Sequence, residues 1–503
     1  MAAPFRIAIV GGGISGLAAA FRLTELLPDA QIRLFEASGR LGGVLQTAHD
    51  GDLLIEQSAD NFITNVPWGI DLCRRLGLES ELLETDEAKR EAFVVHRGKL
   101  VPIPAGFLLM RPSRLGPMLK TKLLSPLGKL RLLAEFFIPA RRGQRDESLA
   151  SFVQRRFGRQ VFERLVQPLI GGIYTADPER LSLAATMPRF LEMEQRCGSL
   201  LRSAWRDRRA TKDSAETNAS GARYGMFVAP LRGITSIIDR LVERLPSDAI
   251  QLHSLVDRIE RTTDGKWTLT VMRSSPGEPL PPENQEFDAV IVATPAFRAA
   301  KMLQSQDAEL AALLNRIAYA GTALITFAYR RAEITHPLDG FGFVVPAIEK
   351  RQILAASFSS NKFPGRAPAD QVLIRVFIGG ACQEELLDLP DERLRAIATT
   401  ELAELLGIQG EPLHVGIARW PRSMPQYHVG HTELVSQIES RVESLPGFAL
   451  AGNAYHGVGI PNCIHSGEQA AEQVIAQIMI PAASGRANPT ETPPAPSPQQ
   501  TRH

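Results

Sequence analysis

Cysteines are few in this chain, and they are widely separated. The 503 residues include four of them, Cys73, Cys197, Cys382 and Cys463, without a CxxC pair or a histidine cluster. This spacing predicts no metal site and is typical of reduced, buried thiols in a cytosolic-type compartment. No stretch reaches the roughly 18 uninterrupted apolar residues of a membrane-spanning helix. The first strand begins within a few residues of the N-terminus, so we expect no cleaved signal peptide.

The sequence also lacks an excess of charge of one sign. Its 56 lysines and arginines nearly balance its 55 aspartates and glutamates, for a formal net charge of +1. This balance argues against a nucleic-acid partner. The chain is too long for one core, and its 44% hydrophobic residues suffice for two. We therefore expect a large mixed α/β enzyme, cytoplasmic or peripheral on the cytoplasmic face of the membrane.

A glycine-rich loop stands close to the N-terminus. Its residues are Gly11, Gly12, Gly13, Ile14, Ser15 and Gly16. An apolar run of strand length, residues 6–10, precedes the loop, and a segment rich in alanine and leucine follows it. This order predicts a βαβ unit whose helix start binds a pyrophosphate. Glu36 ends the next apolar run, where a carboxylate accepts hydrogen bonds from a ribose diol and disfavours a 2′-phosphate.

The residues after Glu36 distinguish FAD from NAD. Arg40, Gly42, Gly43 and Val44 place a cation and two further glycines just beyond the acid. Backbone and arginine can therefore close over the phosphates and ribityl chain of FAD, which a nicotinamide cofactor does not require. A solvated arginine in a simple loop is the alternative.

A second glycine-rich loop, within residues 450–464, is the most informative segment of the chain. Three glycines follow a short apolar strand, and Pro461 marks the expected start of a helix. Amides at a helix start carry partial positive charge and can face an anion or an electron-rich ring edge. One long cofactor lying between both ends of the chain would explain the pair of loops.

The region between Lys99 and Arg145 is basic and amphipathic. Ten bases accompany a single acid, Glu135, and alternate with leucines and phenylalanines, while six prolines divide the region into short helices. This profile is typical of a segment in a bilayer interface, or at the mouth of a channel for an acidic amphiphile. A helical subdomain with a solvated basic face is the alternative.

Together these motifs resemble oxygen-dependent protoporphyrinogen oxidase and its relatives that act on coproporphyrinogen, which are FAD-dependent, amine-oxidase-like flavoproteins. The resemblance covers roughly residues 5–479. Besides the two glycine loops, it rests on the segments 340–346, 358–360, 363–368 and 376–380. The sequence departs from the family at Ser58, where a glycine is expected, and at Ser357, where an apolar residue is expected.

The resemblance implies two sets of contacts. In addition to the first glycine loop, the implied flavin contacts are Glu36, Arg40, Gly42, Gly43, Val44, Ser58, Ala59, Asp60, Asn61, Val256, Trp420, Val458, Gly459 and Ile460. Gly172, Val344 and Phe377 are implied beside the tetrapyrrole, although Phe377 and Trp420 could instead be plain core residues. Arg90 and Arg97 are the candidates for binding a substrate propionate.

The substrate class explains why no protein base is apparent. A porphyrinogen has saturated meso carbons between electron-rich pyrroles, so a pyrrole nitrogen stabilises the cation left when hydride leaves for flavin N5. Catalysis would come from positioning and from amides near Ile460 that stabilise the charge of the reduced flavin. With O2 as acceptor giving peroxide, three cycles remove six hydrogens from protoporphyrinogen IX or coproporphyrinogen III in haem biosynthesis. The sequence does not distinguish between these two substrates.

Three other functions remain open at this stage. An amine oxidase would need a lysine near flavin N5, and no lysine falls in the matching segments. A carotenoid desaturase would share the glycine loops, but the string from Gly457 to Pro461 disfavours it. A membrane-docking flavin-binding module would hold a flavin that no substrate bleaches. A homodimer and a hand-off to ferrochelatase are candidate partnerships.

The domain prediction interleaves several segments. A Rossmann-like FAD-binding domain takes residues 1–85, 225–300 and 426–480, with strands expected at 250–259 and 287–295. A substrate-binding domain takes 86–98 and 301–425, and 99–200 forms a helical subdomain that is a candidate for membrane association. Residues 201–224 are predicted to be a mobile polar loop, and 481–503 a disordered tail.

Overall fold

Short apolar runs from both ends of the chain build a parallel sheet. The computed structural model describes residues 4–86, 91–112, 114–143, 145–210, 227–275, 278–279 and 281–479. Within these ranges, five parallel strands lie in the order Ile250–Gln251, Gln31–Phe35, Arg6–Val10, Ala289–Val292 and Phe448–Leu450. The two glycine-rich loops follow two of these strands, so both leave the carboxyl edge of one sheet.

The alternation of side chains along these strands creates two cores. Successive residues of a strand point to opposite faces. Ile9 packs on one face with the helices Ile14–Leu26 and Ile460–Met479. Val10 packs on the other face with Trp267. Both faces of the sheet are therefore covered, as is usual for parallel sheets.

An antiparallel meander and three helices form the second core with this sheet. The meander strands are Ser254–Arg261, Trp267–Ser275, Glu278–Pro279 and Glu283–Phe287. The helices are Ala296–Leu303, Ala308–Asn315 and His431–Glu443.

A second large sheet forms the other half of the molecule. In the described part of the chain its seven strands lie in the order His414–Gln426, Ala318–Arg330, Gln371–Gly379, Ala355–Phe358, Gly342–Val344, Phe93–His96 and Lys99–Pro102. Adjacent strands are antiparallel except for the pair Gly342–Val344 and Phe93–His96. The helix Asp391–Leu406 shares a core with this sheet through Leu394, Ala398 and Leu402.

Short helices make up the third part. They are Leu115–Lys120, Pro126–Ala134, Leu149–Phe157, Arg159–Val161, Gln167–Tyr174, Leu183–Thr186, Pro188–Cys197 and Leu200–Ala210. The other strands and α-helices of the described residues are Thr47–Asp50, Leu53–Glu56, Phe62–Ile63, Trp68–Arg75, Leu82–Glu84, Phe107–Leu108, Arg111–Pro112, Phe227–Pro230, Thr235–Arg244 and Ser359–Lys362. Among the helices described, none is both long and apolar enough to cross a membrane.

The mixed α/β class with a Rossmann-like sheet is confirmed, but the predicted mobile loop begins too early. Residues 201–210 belong to the helix Leu200–Ala210. The buried carboxylate of Glu135 accepts hydrogen bonds from the N–H groups of Leu200, at 2.9 Å, and Leu201, at 3.1 Å. The first N–H groups of a helix have no partner within the helix, and Glu135 satisfies two of them here. Residues 211–224 and the predicted tail 481–503 lie outside the described residues.

Three further predictions need correction. Lys99–Pro102 is a strand paired with Phe93–His96, so it belongs to the large sheet and not to the helical subdomain. The helix Ala308–Asn315 packs in the same core as Val10. It therefore belongs to the half of the molecule built on the parallel sheet, which is the predicted cofactor half, and not to the substrate-binding domain. The cysteines are not all buried, because Cys382 is exposed.

Close contact between the first and last helices yields a stability prediction. A Cβ at Gly467 would lie 2.1 Å from the Ser15 carbonyl oxygen, so the helices approach only because this residue has no side chain. We expect Gly467→Ala to lower the free energy of unfolding by about 1–3 kcal/mol through overpacking. Urea denaturation measures the change. Gly116→Ala is the matched control because no atom lies within 4 Å of its Cβ position; equal stability of both variants would contradict the packing argument.

Candidate functional site

A cavity of about 750 Å³ extends from the carboxyl edge of the parallel sheet to the large mixed sheet. Gly13 and Val458 line it from the two glycine-rich loops, whereas Phe377 and Trp420 line it from the large sheet. The cavity therefore lies where the two halves of the molecule meet. Such junctions are common ligand sites.

The first glycine loop leaves its helix start open. No side chain caps the helix Ile14–Leu26, and no atom lies within 4 Å of a Cβ position on Gly13. Gly11 has φ of +110°, and a Cβ there would lie 2.6 Å from the Ala293 carbonyl oxygen. Free amides and a close backbone suit a pyrophosphate at this end of the cavity.

Glu36 is held rigidly at the end of the second strand. One of its carboxylate oxygens accepts from the Gly12 N–H at 2.8 Å, and the other accepts from the backbone and hydroxyl of Ser38 at 2.8 and 2.7 Å. Glu36 lines the cavity together with Val256. An oriented carboxylate is what a ribose diol requires.

Arg40 braces the loop that follows Glu36. Its guanidinium donates to the Gly43 carbonyl at 2.5 Å and to the Leu41 carbonyl at 3.2 Å. The guanidinium carbon lies 5.8 Å from the centre of the Trp420 ring. The side chain therefore shapes the wall of the cavity without lining it.

The C-terminal loop is held by a tyrosine beneath it. The hydroxyl of Tyr427 donates to the Asn453 carbonyl at 2.5 Å and accepts from the Gly457 N–H at 2.8 Å. The helix Ile460–Met479 follows, as Pro461 predicted, and Ile460 lines the cavity with Cys463. Burial raises the pKa of the Cys463 thiol to about 12, so it is not a nucleophile.

A buried ionic cluster joins the segment Ser58–Asp60 to the large sheet. Lys362 Nζ lies 3.3 Å from both carboxylate oxygens of Asp60, and Arg375 Nη1 lies 3.0 Å from one of them. Arg375 also donates to the Ser58 carbonyl. Burial alone raises the pKa of Asp60, but the charges of Lys362 and Arg375 outweigh it and lower the pKa to about 2. Asp60 is therefore ionised at neutral pH.

The far end of the cavity has apolar walls. Gly172 and Ile173 line it from the helix Gln167–Tyr174, and Leu324 and Phe377 line it from adjacent strands. Val344 lies behind Gly172, with its side chain 3.4 Å from the Cβ position of that glycine. These residues give this end an apolar surface on which a large ring system can pack.

Most of the predicted positions meet at this cavity. Those that line it are Gly11, Gly13, Ile14, Ser15, Glu36, Gly42, Gly43, Val44, Ser58, Ala59, Asp60, Gly172, Val256, Phe377, Trp420, Val458 and Ile460. Those that do not line it are Gly12, Gly16, Arg40, Asn61, Val344 and Gly459. Arg90 lies outside the described residues, and Arg97 occupies an exposed hairpin turn. The contacts themselves remain predictions.

Several lining residues were missed from the sequence. Thr294 and Pro295 lie just after the strand Ala289–Val292, and their position at a strand end could have identified them. Arg298 and Lys301 follow on the next helix. Arg375 carried no sequence signal, because a charged residue inside an apolar strand has no motif.

The arrangement fits FAD. Open helix amides suit the pyrophosphate of FAD, the oriented carboxylate of Glu36 suits its ribose diol, and the apolar wall suits its isoalloxazine ring. Residues with these three features line one cavity. Buried polar atoms without a partner in the described structure, Ser58 Oγ and Arg375 Nε, belong to residues that line the same cavity. A ligand with polar atoms would satisfy such groups.

Comparison with known proteins agrees with this chemistry. The family model described as flavin containing amine oxidoreductase matches residues 14–475. Coproporphyrinogen III oxidase of Bacillus subtilis (strain 168) is 30% identical over 479 residues, which cover 94% of this chain and 98% of that protein. Protoporphyrinogen oxidase 2, chloroplastic/mitochondrial, of Arabidopsis thaliana is 29% identical, with 94% of each protein covered.

A solved structure shows the same fold. It is that of a protein from Exiguobacterium sp. 255-15 with the provisional name protoporphyrinogen oxidase, with a TM-score of 0.81 and 30% identity over 93% of this chain and 98% of that one. The comparisons confirm the predicted resemblance and the FAD cofactor, and they make the protein an FAD-dependent oxidoreductase. The chain belongs to the flavin containing amine oxidoreductase family, in the group that includes the coproporphyrinogen III oxidases and protoporphyrinogen oxidases.

Proposed function

We propose that this protein oxidises a porphyrinogen to the corresponding porphyrin in haem biosynthesis. The main support is the cavity, in which both glycine-rich loops share one space with the apolar wall of Gly172 and Phe377. The names of the relatives supply the substrate class. A tetrapyrrole macrocycle is large, apolar over its faces and charged only at its carboxylate rim, which suits an apolar far wall.

The protein's own contribution is positioning and charge stabilisation. Bound FAD would supply the hydride acceptor at the apolar end, and O2 the terminal acceptor that yields peroxide. Gly172 would lie beside the reacting carbon, while Phe377 and Leu324 would exclude water. The amides at the start of the helix Ile460–Met479 would stabilise negative charge on the ring of a bound flavin. No protein base is needed, because the substrate's own pyrroles stabilise the developing cation.

Other parts of the proposal rest on the family resemblance alone. These are O2 as the acceptor, dimerisation, and transfer of the porphyrin product to a ferrochelatase. Flavin contacts at Glu36, Val256 and Trp420 belong to the proposal as well.

Anaerobic mixing with substrate tests the reaction. We expect the yellow holoenzyme to bleach with protoporphyrinogen IX, with coproporphyrinogen III or with both, because the substrate reduces the flavin. Admission of air should restore the colour while porphyrin fluorescence grows. Absorbance near the flavin maximum and porphyrin emission are recorded together. A flavin that neither compound bleaches would contradict the proposal and favour a non-catalytic flavin-binding module.

A variant of the apolar wall tests the substrate site. Phe377→Ala removes a half-buried ring from the cavity. We expect kcat/KM to fall at least about tenfold, or about 1.4 kcal/mol in transition-state binding, with the FAD content unchanged. Steady-state kinetics and flavin absorbance measure both quantities.

The control is a ring in the core of the same sheet. Phe327→Ala should cost about 3–5 kcal/mol of stability, with kcat/KM per folded enzyme little changed, since Phe327 is fully buried away from the cavity. Loss of FAD from the Phe377 variant would place Phe377 in the flavin site or the core instead.

The proposal includes a peripheral contact with an acidic lipid surface. On the helix Pro126–Ala134, Leu127 is 77% exposed and Leu130, one turn later, is 65% exposed. Phe137, just beyond this helix, is 79% exposed. Lys120 and Lys122 are exposed nearby in the sequence. Exposed apolar side chains beside cations are the features of a helix that lies in a membrane interface.

Flotation with vesicles tests this contact. Leu127→Ser combined with Leu130→Ser should lower binding to phosphatidylserine vesicles at least about tenfold. The reason is that two apolar side chains no longer enter the lipid, and burial of each contributes about 1.5–3 kcal/mol. The control is Leu413→Ser, a leucine 42% exposed immediately before the strand His414–Gln426. Equal flotation of wild type and both variants would show that this surface does not bind lipid.

A further inference from the structure

Arg375 is a buried cation in the middle of an apolar strand. It lies in the strand Gln371–Gly379, opposite Thr326 on one side and Ser357 on the other, and it is 1% exposed. Removing an arginine from water is costly unless its charge and its donors find partners. Arg375 therefore needs a partner for its charge and for each of its N–H donors.

Those contacts are incomplete. One terminal nitrogen binds Asp60 and the other donates to the carbonyl of Ser58. Nε is buried and has no partner in the described residues, and the side chain lines the cavity. The hydroxyl of Ser58, which also lines the cavity, is likewise buried without a partner there. Two polar groups of the same wall are thus left for a ligand to satisfy.

Neutralising Asp60 does not explain the arginine. Lys362 already lies 3.3 Å from both oxygens of that carboxylate. The cluster also contains the buried Arg366 and the buried Glu56, whose pKa is raised by burial. Burial lowers the pKa of Lys362 and of Arg366. Among the three cations of the cluster, Arg375 is the one that lines the cavity, where water screens its charge little.

The charge of Arg375 lies between the two walls of the cavity. The guanidinium carbon lies 5.5 Å from the centre of the Phe377 ring, on the proposed substrate wall. Its hydrogen bonds reach Ser58 and Asp60, which line the cavity from the cofactor half. Arg375 thus links the wall beside the cofactor to the wall beside the substrate. Hydride transfer carries two electrons and one hydrogen nucleus, so the acceptor gains one negative charge that a fixed cation stabilises.

We propose that Arg375 is a positioning residue whose charge raises the reduction potential of the bound flavin and whose hydrogen bonds hold the segment Ser58–Asp60 against the substrate wall. The inference rests on the FAD cofactor and not on the identity of the substrate. Measurements on the holoenzyme without substrate can therefore test it separately from porphyrinogen oxidation.

Sulfite titration and redox titration of the holoenzyme are the tests. Sulfite adds to oxidised flavin and leaves it negatively charged, so its affinity reports positive charge nearby. We expect Arg375→Met to weaken sulfite binding at least about tenfold. The equilibrium between oxidised and reduced flavin should shift toward the oxidised form by the same factor. For a two-electron couple this factor is about 30 mV. Arg375→Lys, which keeps the charge, should stay within about threefold of wild type.

The variant Asp60→Asn separates the effect of charge from the effect of a lost fold. Asp60→Asn removes a negative charge from the same cluster, so sulfite affinity and potential should rise. If Arg375→Met does not fold or keep its flavin, the Asp60→Asn variant decides, and an unchanged or lowered potential overturns the proposal.

Arg366→Met is the matched control, because Arg366 is equally buried but donates to the carbonyls of Pro230 and Leu231 and does not line the cavity. It should lower stability and leave sulfite affinity within about threefold. A shift as large as that of Arg375→Met would show a general effect of the cluster and overturn the specific role. Wild-type sulfite affinity in Arg375→Met would overturn it as well.

Discussion

The pairing of strands from distant parts of the chain is the constraint on which the structure depends. Ala289–Val292 lies between Arg6–Val10 and Phe448–Leu450, and it brings the two glycine-rich loops to one edge. The close packing of Gly467 on Ser15 then fixes the last helix against the first. Without this arrangement, a pyrophosphate site and a ring-edge site would exist separately, and neither could hold a long cofactor.

Buried ions perform a similar role between the other parts of the molecule. Glu135 pairs with Arg156 and receives the first amides of the helix Leu200–Ala210. Asp60 is bound by Lys362 and by Arg375, so the cofactor half is tied to the large sheet. Each pair is costly to bury and more costly to break, because one partner alone would remain unpaired. Ion pairs of this kind favour one relative placement of the elements that they join.

Local motifs were enough to predict the cofactor half from the sequence. The loop Gly11–Gly16, Glu36 and the start of the last helix beside Pro461 each follow from neighbouring residues, and Gly13, Glu36 and Ile460 line one cavity. Contacts between distant residues were not predictable. Glu135 lies 65 residues from Leu200, and Arg375 lies 317 residues from Ser58. The polar composition of residues 201–210 suggested a loop. The carboxylate that satisfies the start of their helix belongs to Glu135, which is distant in the sequence and gives no local signal.

The split parallel sheet also has a consequence for biosynthesis. A ribosome delivers the strand Arg6–Val10 early and the strand Phe448–Leu450 only after most of the chain has emerged. Contacts of such long sequence separation form slowly, because their loop closure must come first. The nascent chain therefore exposes apolar strand edges until the strand Phe448–Leu450 has been made, and during that interval it depends on chaperones more than a protein with local strand pairing would.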